Sequence, residues 1–228
     1  MSRIFDLPCP EIAIAGGGRF PVRRILCVGS NYAEHTREMG GDPGREPPLF
    51  FSKPADAVVP GEGTLPFPPR TANLHHEIEL VVAIGTGGAN IPSTEALTHV
   101  FGYGVGNDLT RRDLQAAARA EGRPWDMAKG FDASAVVSPI APVSAIGHPR
   151  QARIWLSVNG ALRQDADIAD MIWSVPEVIA ELSTYIRLQP GDVIFTGTPA
   201  GVGPIQPGDM VEGGIEGIGT IATRFAAG

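Results

Sequence analysis

Two acids, Glu77 and Glu79, stand at the head of an apolar run, His75-His76-Glu77-Ile78-Glu79-Leu80, which continues through Val81, Val82, Ala83 and Ile84. The run reads as one strand. Alternate side chains of a strand share a face, so the two carboxylates point the same way with Cα atoms about 6.7 Å apart, while Ile78 and Leu80 turn to the other side. Two anions on a face about to be buried repel each other and lose hydration unless a cation or a shared proton compensates. A third oxygen donor lies downstream. Phe101-Gly102-Tyr103-Gly104-Val105-Gly106-Asn107-Asp108 reads as a strand with glycine at every second position and Asp108 on the glycine face. A face without side chains leaves room for a ligand or another backbone beside that carboxylate. Three carboxylates, with no thiolate or obligatory imidazole, suit Mg²⁺ or Mn²⁺ better than Zn²⁺. Spacing by itself leaves a second reading open, a Glu-x-Glu pair on a solvated outer face.

His35 and Glu38 fall at i and i+3 on a short predicted helix and share a face. A carboxylate beside imidazole holds its tautomer and raises its basicity, so the pair can take a proton from water near neutral pH. The same positions also suit an ordinary surface histidine. Arg112 and Gln115 lie on one face of a later helix. There the planar guanidinium of Arg112 either matches the two oxygens of a substrate carboxylate or faces solvent. Phe195-Thr196-Gly197-Thr198-Pro199-Ala200-Gly201-Val202-Gly203 is no P-loop, because no Gly-Lys-Ser/Thr follows. It is no dinucleotide fingerprint either, because the glycine spacing fails and a strand comes next. A loop whose backbone comes close to a ligand is the better reading, with Thr198 donating to a bound oxygen or only supporting the turn. Lys129, taken alone, is a surface lysine.

These side chains need a scaffold, and composition says which kind. With 228 residues and 43% hydrophobic content the chain has material for one large core and is not disordered. A net charge of −7 argues against nucleic acid or an anionic membrane as partner and favours a small-molecule ligand. Cys9 and Cys27 are too few for a disulfide framework, and Asp6, Pro8, Pro10 and Glu11 break up any signal-like run. No stretch approaches the roughly 20 apolar residues that cross a bilayer, so the expectation is a soluble, cytoplasmic protein. Gly 29 and Pro 21 make up more than a fifth of the chain. They signal many turns and short strands, hence an α+β fold, mainly β, with few helices.

Residues 1–24 read as a short lead-in packed on the main domain, 25–228, with a weak strand at 11–15, a glycine turn and a return at 20–22. Residues 25–29 form a short buried strand. Asn31, with Glu34 three residues on, suits a capping box for the helix of His35 and Glu38, which Gly40-Gly41 stops. The Pro- and Gly-rich loop at 42–48 leaves that helix able to move as a lid. Residues 49–53 suit an edge strand stopped by Pro54, and 58–69 a loop. Thr110 suits the cap of a helix at about 111–120. Asn159-Gly160 between two apolar segments marks a type I′ hairpin. Ser174-Val175-Pro176-Glu177 is a capping box, followed by an apolar stripe of Val175, Ile179, Leu182 and Ile186. Gln-Pro-Gly-Asp occurs at 189–192 and at 206–209, each suited to a type II turn that leads into a strand.

Six segments occur together and in order: Asn31-Tyr32-Ala33-Glu34-His35, Lys53-Pro54, His76-Glu77-Ile78-Glu79, Asp108-Leu109-Thr110-Arg111-Arg112-Asp113-Leu114-Gln115, Ala128-Lys129-Gly130-Phe131-Asp132 and Gly191-Asp192-Val193-Ile194-Phe195-Thr196-Gly197-Thr198-Pro199. The set, spread over about 25–225, resembles the fumarylacetoacetate hydrolase family. Arg111-Arg112 with Trp125-Asp126-Met127-Ala128-Lys129-Gly130 is most similar to its fumarylpyruvate and other acylpyruvate hydrolases. The resemblance implies a mixed β-roll with flanking helices, a homodimer, and Mg²⁺ or Mn²⁺ held by Glu77, Glu79 and Asp108. It also implies catalytic roles for His35 and Glu38, as a water-activating dyad on a lid helix, and for Lys129. Arg112, Gln115 and Thr198 would surround a small anionic dioxo-acid substrate. The reaction implied is hydrolysis of a carbon–carbon bond in an acylpyruvate, fumarylpyruvate to fumarate and pyruvate in aromatic catabolism, with Lys129 beside the departing enolate. Decarboxylation of a 2-oxo acid such as oxaloacetate, or isomerisation and decarboxylation of a diene diacid, would use the same parts. A non-enzymatic, metal-stabilised ligand-binding domain is the reading of another class. Many relatives carry arginine where this chain has Ser30, which alters the charge beside the lid's hinge and bears on the substrate.

Overall fold

The computed structural model describes residues 4–40, 42, 44 and 46–226. Arg24–Gly29 and Ile78–Ile84 are near-continuous apolar runs, the pattern of strands covered on both faces, and both lie inside the larger sheet. That sheet runs in the order Leu49–Lys53, Arg24–Gly29, Asp192–Phe195, Ile78–Ile84, Val100–Asp108, Ala135–Val137, Val58–Pro60, with Ala141–Pro142 added beside Val100–Asp108. Two of its pairings are parallel, Asp192–Phe195 on Arg24–Gly29 and Ala135–Val137 on Val58–Pro60. A second sheet, Ala161–Asp167, Arg153–Val158, Met210–Ile215, Gly219–Phe225, Glu62–Leu65, covers one face of the first. Ile78, Leu80, Val82 and Ile84 there share a core with Ile154, Leu156, Val211 and Ile221. On the opposite face Val81, Ala83, Cys27, Val193 and Phe195 pack with Ile12 and Phe20 from the hairpin Glu11–Ala13/Arg19–Pro21. The result is a mixed β-roll, α+β and mainly β. Among the described residues it carries five α-helices: α1 (Ala33–Glu38), α2 (Arg112–Ala120), α3 (Asp126–Lys129), α4 (Val143–Ile146) and α5 (Val175–Tyr185).

Features with a local stereochemical rule form as expected. Asn159 and Gly160 adopt φ of 51° and 77° at the hairpin between Arg153–Val158 and Ala161–Asp167. Gly191 and Gly208, at φ of 92° and 94°, take the third position of the two Gln-Pro-Gly-Asp turns. Ser174 and Glu177 close a capping box over the first turn of α5.

Other expectations are corrected. The 75–84 run is two strands, Leu74–His76 and Ile78–Ile84, interrupted at Glu77. The first leaves the main sheet to pair with Thr110–Arg111 and Gly203–Ile205. Residues 58–69 are not all loop, because Val58–Pro60 and Glu62–Leu65 each find a parallel partner far away in the chain. Asn31 does not cap α1, whose N-cap is Tyr32 without a side-chain bond, and Glu34 pairs with Arg37 instead. Thr110 does not cap α2 either: it sits in a short strand, donates its hydroxyl to the Asp108 carbonyl, and the helix starts at Arg112. The lid expectation rests in part on Gly41 and on loop positions 43 and 45, which lie outside the described residues.

Candidate active site

Register explains how the acids meet. Glu79 pairs with Gly106, and the Asp108 N–H donates to the Glu77 carbonyl, so all three acidic residues share one face at the end of two neighbouring strands. One ligating oxygen from each of Glu77, Glu79 and Asp108 lies within 4.8 Å of the others, and all three residues are buried. The glycine face, by contrast, is not open space for a ligand. A Cβ at Gly106 would come 2.5 Å from Phe195 and Val81, and one at Gly102 would come 2.4 Å from the Ala141 carbonyl oxygen. These glycines let the sheet pack tightly up to the point where the acids begin.

Three cations stand among the three acids, so a metal ion is not the cluster's sole source of positive charge. Lys129 Nζ lies 2.8 Å from Glu77 Oε2 and 2.7 Å from Asp108 Oδ2. Lys53 Nζ is 2.7 Å from Asp108 Oδ1 and donates to the Leu109 and Lys129 carbonyls. Arg112 spends its three nitrogens on Glu77, Gln115 and His75. The two glutamates therefore titrate in opposite directions. Burial alone would raise Glu77, but Lys129 and Arg112 outweigh it and hold its carboxyl well below the usual range. Glu79 has no ion pair among the described residues, only the Gly197 N–H at 2.7 Å; burial, then Asp108 and Glu77, push it well above. Lys129 is raised: burial pulls it down, yet Asp108 and Glu77 more than offset that, so it stays charged. The donor set fits a hard divalent cation. It is all oxygen, and one of its carboxylates lacks a counter-charge.

Above the acids, α1 presents His35. Its Nδ1 lies 3.0 Å from Glu38 Oε2, and the same carboxylate accepts the Gly201 N–H at 3.1 Å. Asn31 holds this arrangement from below. Its amide donates to the Trp173 and Thr196 carbonyls, and its oxygen accepts the Trp173 N–H, tying the start of α1 to the Thr196–Gly197 loop. Gly197 makes the close approach possible, since at φ of 99° a Cβ would sit 2.7 Å from that of Asn31. Thr198 accepts a hydrogen bond from Gln164 Nε2 at 2.8 Å, which leaves its own hydroxyl proton for the cavity.

One cavity of about 460 Å³ gathers His35, Glu77, Glu79, Asp108, Arg112, Gln115, Lys129 and Thr198. Glu38 joins them through His35. All nine residues singled out in the sequence thus meet at one place, but Arg112 serves Glu77 instead of standing free as a clamp. Lys53 is the residue without a role in the sequence reading. It is a lysine at the end of a strand, and only the depth of that strand in the fold, 2% exposed, reveals it.

The fold and the carboxylate site place the chain in a known class: it belongs to the fumarylacetoacetate (FAA) hydrolase C-terminal family, which matches residues 24–226. Within that class it is similar to the Pseudomonas aeruginosa fumarylpyruvate hydrolase, solved with Mn²⁺ and pyruvate, at 51% identity and a TM-score of 0.97 over 100% of both chains. A candidate fumarylpyruvate hydrolase from Burkholderia cenocepacia is 55% identical, with a TM-score of 0.94 over 100% of both chains. The mitochondrial oxaloacetate tautomerase FAHD1 of Mus musculus is 43% identical over 89% of this chain and 90% of its own. No helix among the described residues is long and apolar enough to cross a membrane.

Proposed function

We propose that this protein is a Mg²⁺- or Mn²⁺-dependent acylpyruvate hydrolase that cleaves fumarylpyruvate to fumarate and pyruvate. The observation that carries the reading is the His35–Glu38 pair in the same cavity as the three carboxylates. Hydrolysis requires a base for water, whereas moving a proton within a 2-oxo acid does not require water as a reactant. The similarity to a fumarylpyruvate hydrolase over the whole chain supports it, and pyruvate, present in that structure, is a product of this reaction.

Glu77, Glu79 and Asp108 would hold the metal, which when bound supplies Lewis-acid polarisation of the substrate's oxygens. Glu38 fixes the His35 tautomer at Nδ1, leaving Nε2 to take a proton from water. The water oxygen adds to the acyl carbonyl carbon. The bond from that carbon to the pyruvate methylene then breaks, and its electron pair leaves as pyruvate enolate. Lys129, held charged by its two acids, stabilises that negative charge; a proton added at carbon completes pyruvate, and the acyl group leaves as fumarate. One water is consumed.

The tautomerase relatives favour a second reading, interconversion of enol and keto oxaloacetate. NMR of products separates the two, with fumarylpyruvate and with oxaloacetate, each with Mg²⁺ and with excess chelator. Formation of fumarate and pyruvate that chelator abolishes and Mg²⁺ or Mn²⁺ restores is the expected result. Accelerated oxaloacetate tautomerisation with no cleavage of any acylpyruvate would overturn it in favour of the second reading. With the hydrolase reading goes a cytoplasmic homodimer acting on a small anionic dioxo acid, with neither nucleic acid nor membrane as partner. A monomer mass by light scattering would remove the dimer.

A further inference from the structure

The cavity continues beyond the acids along one face of α2. Arg112, Gln115, Ala116, Arg119 and Ala120, at i, i+3, i+4, i+7 and i+8, all line it. The cations of this lining are not equivalent. Lys129 is engaged by Glu77 and Asp108, and Arg112 by Glu77, Gln115 and His75. Arg119 has no hydrogen-bond or ion-pair partner for its side chain among the described residues. It stands two helical turns from Arg112, about 10 Å along the axis. Uncharged side chains line the cavity as well, among them Met39, Ala116, Ala120 and Trp125. Acids that would hold a divalent cation at the reacting end, uncharged lining and a free guanidinium at the far end suit a molecule with a carboxylate at each end of a carbon chain.

We propose that Arg119 binds the distal carboxylate of the substrate and so selects acylpyruvates whose acyl group ends in a carboxylate over those with uncharged acyl groups. This rests on the hydrolase reading for its substrate class, but its test does not need turnover. Two unreactive probes of equal length, 2-oxoheptanedioate and 2-oxoheptanoate, are titrated calorimetrically into the Mg²⁺-loaded protein. The wild type binds the diacid more tightly, Arg119→Gln loses about tenfold of that preference, and Arg119→Lys recovers part of it, the scale of one hydrogen-bonded charge pair. The ratio of kcat/KM for fumarylpyruvate over acetylpyruvate falls to match. A wild type without preference for the diacid, or an Arg119→Gln variant that keeps it, would overturn the assignment. Preference for the diacid with no cleavage of either acylpyruvate would leave Arg119 in place and remove the hydrolase reading alone.

Discussion

The helices α1 and α5 are built on opposite terms. The eleven residues of α5 carry a capping box, a proline in the first turn, and buried Val175, Val178, Ile179 and Leu182 against the core. The six residues of α1 have no side-chain cap and bury His35 and Thr36. Isolated helices shorter than about 12 residues are marginal in water, so both depend on packing, but α1 depends on it almost wholly. The polar residues that would stabilise its start are committed elsewhere: Asn31 ties two loops together, and Glu34 pairs with Arg37. Where the sequence serves a site, it gives up local helix stability, which α5, outside the cavity lining, keeps.

That contrast can be broken by substitution. Ile179→Ala in α5 should destabilise the fold by about 2–5 kcal/mol by removing a fully buried side chain, while turnover per folded molecule stays near wild type. Denaturant melts alongside active-site titration check it. His35→Ala in α1 should do the reverse, lowering turnover about a hundredfold with the melting midpoint little changed. Near-normal turnover would remove His35 as base. Bound oxalate should slow amide exchange across α1 about tenfold and leave α5 unaffected, since of these two helices α1 alone lines the cavity. Equal slowing in both helices would mean general tightening instead of a lid. Ser174→Ala should cost about 1 kcal/mol through loss of the cap, seen as a small shift of the midpoint at constant activity.

The sequence showed most clearly what local stereochemistry governs. The type I′ hairpin at Asn159-Gly160, the two Gln-Pro-Gly-Asp turns and α5 each follow from a few adjacent residues. The shared face of Glu77 and Glu79 was also legible, because strand periodicity does not depend on which strands are neighbours. The break at Glu77 was not, since it arises from pairing of Leu74–His76 with segments near 110 and 204. Charge compensation was hidden for the same reason. Lys53 and Asp108 are 55 positions apart, and nothing near Lys53 announces that its ammonium is buried against a carboxylate. Arg112 looked like a free fork on a helix, and only the return of the chain past Glu77 and His75 shows its nitrogens to be taken. The alternating glycines correctly marked a face; what fills it, Phe195 and Val81 against Gly106, comes from strands the glycines do not identify.

The place of Asp192–Phe195 in the sheet also sets a timetable for synthesis. It lies between Arg24–Gly29 and Ile78–Ile84, so the strand bearing Glu79 cannot join the first strand of that sheet until about residue 195 has been made. At roughly 5–20 residues per second that takes about 10–40 s of translation. From residue 108 onward, about the last 4–17 s of that time, the nascent chain holds Glu77, Glu79 and Asp108 without the Gly197 N–H or Thr198, and with the strand edges at Ile78–Ile84 and Arg24–Gly29 unpaired. The acids are made early and the wall that completes their cavity is made late, which places this centre among the last parts of the molecule to come into being on the ribosome.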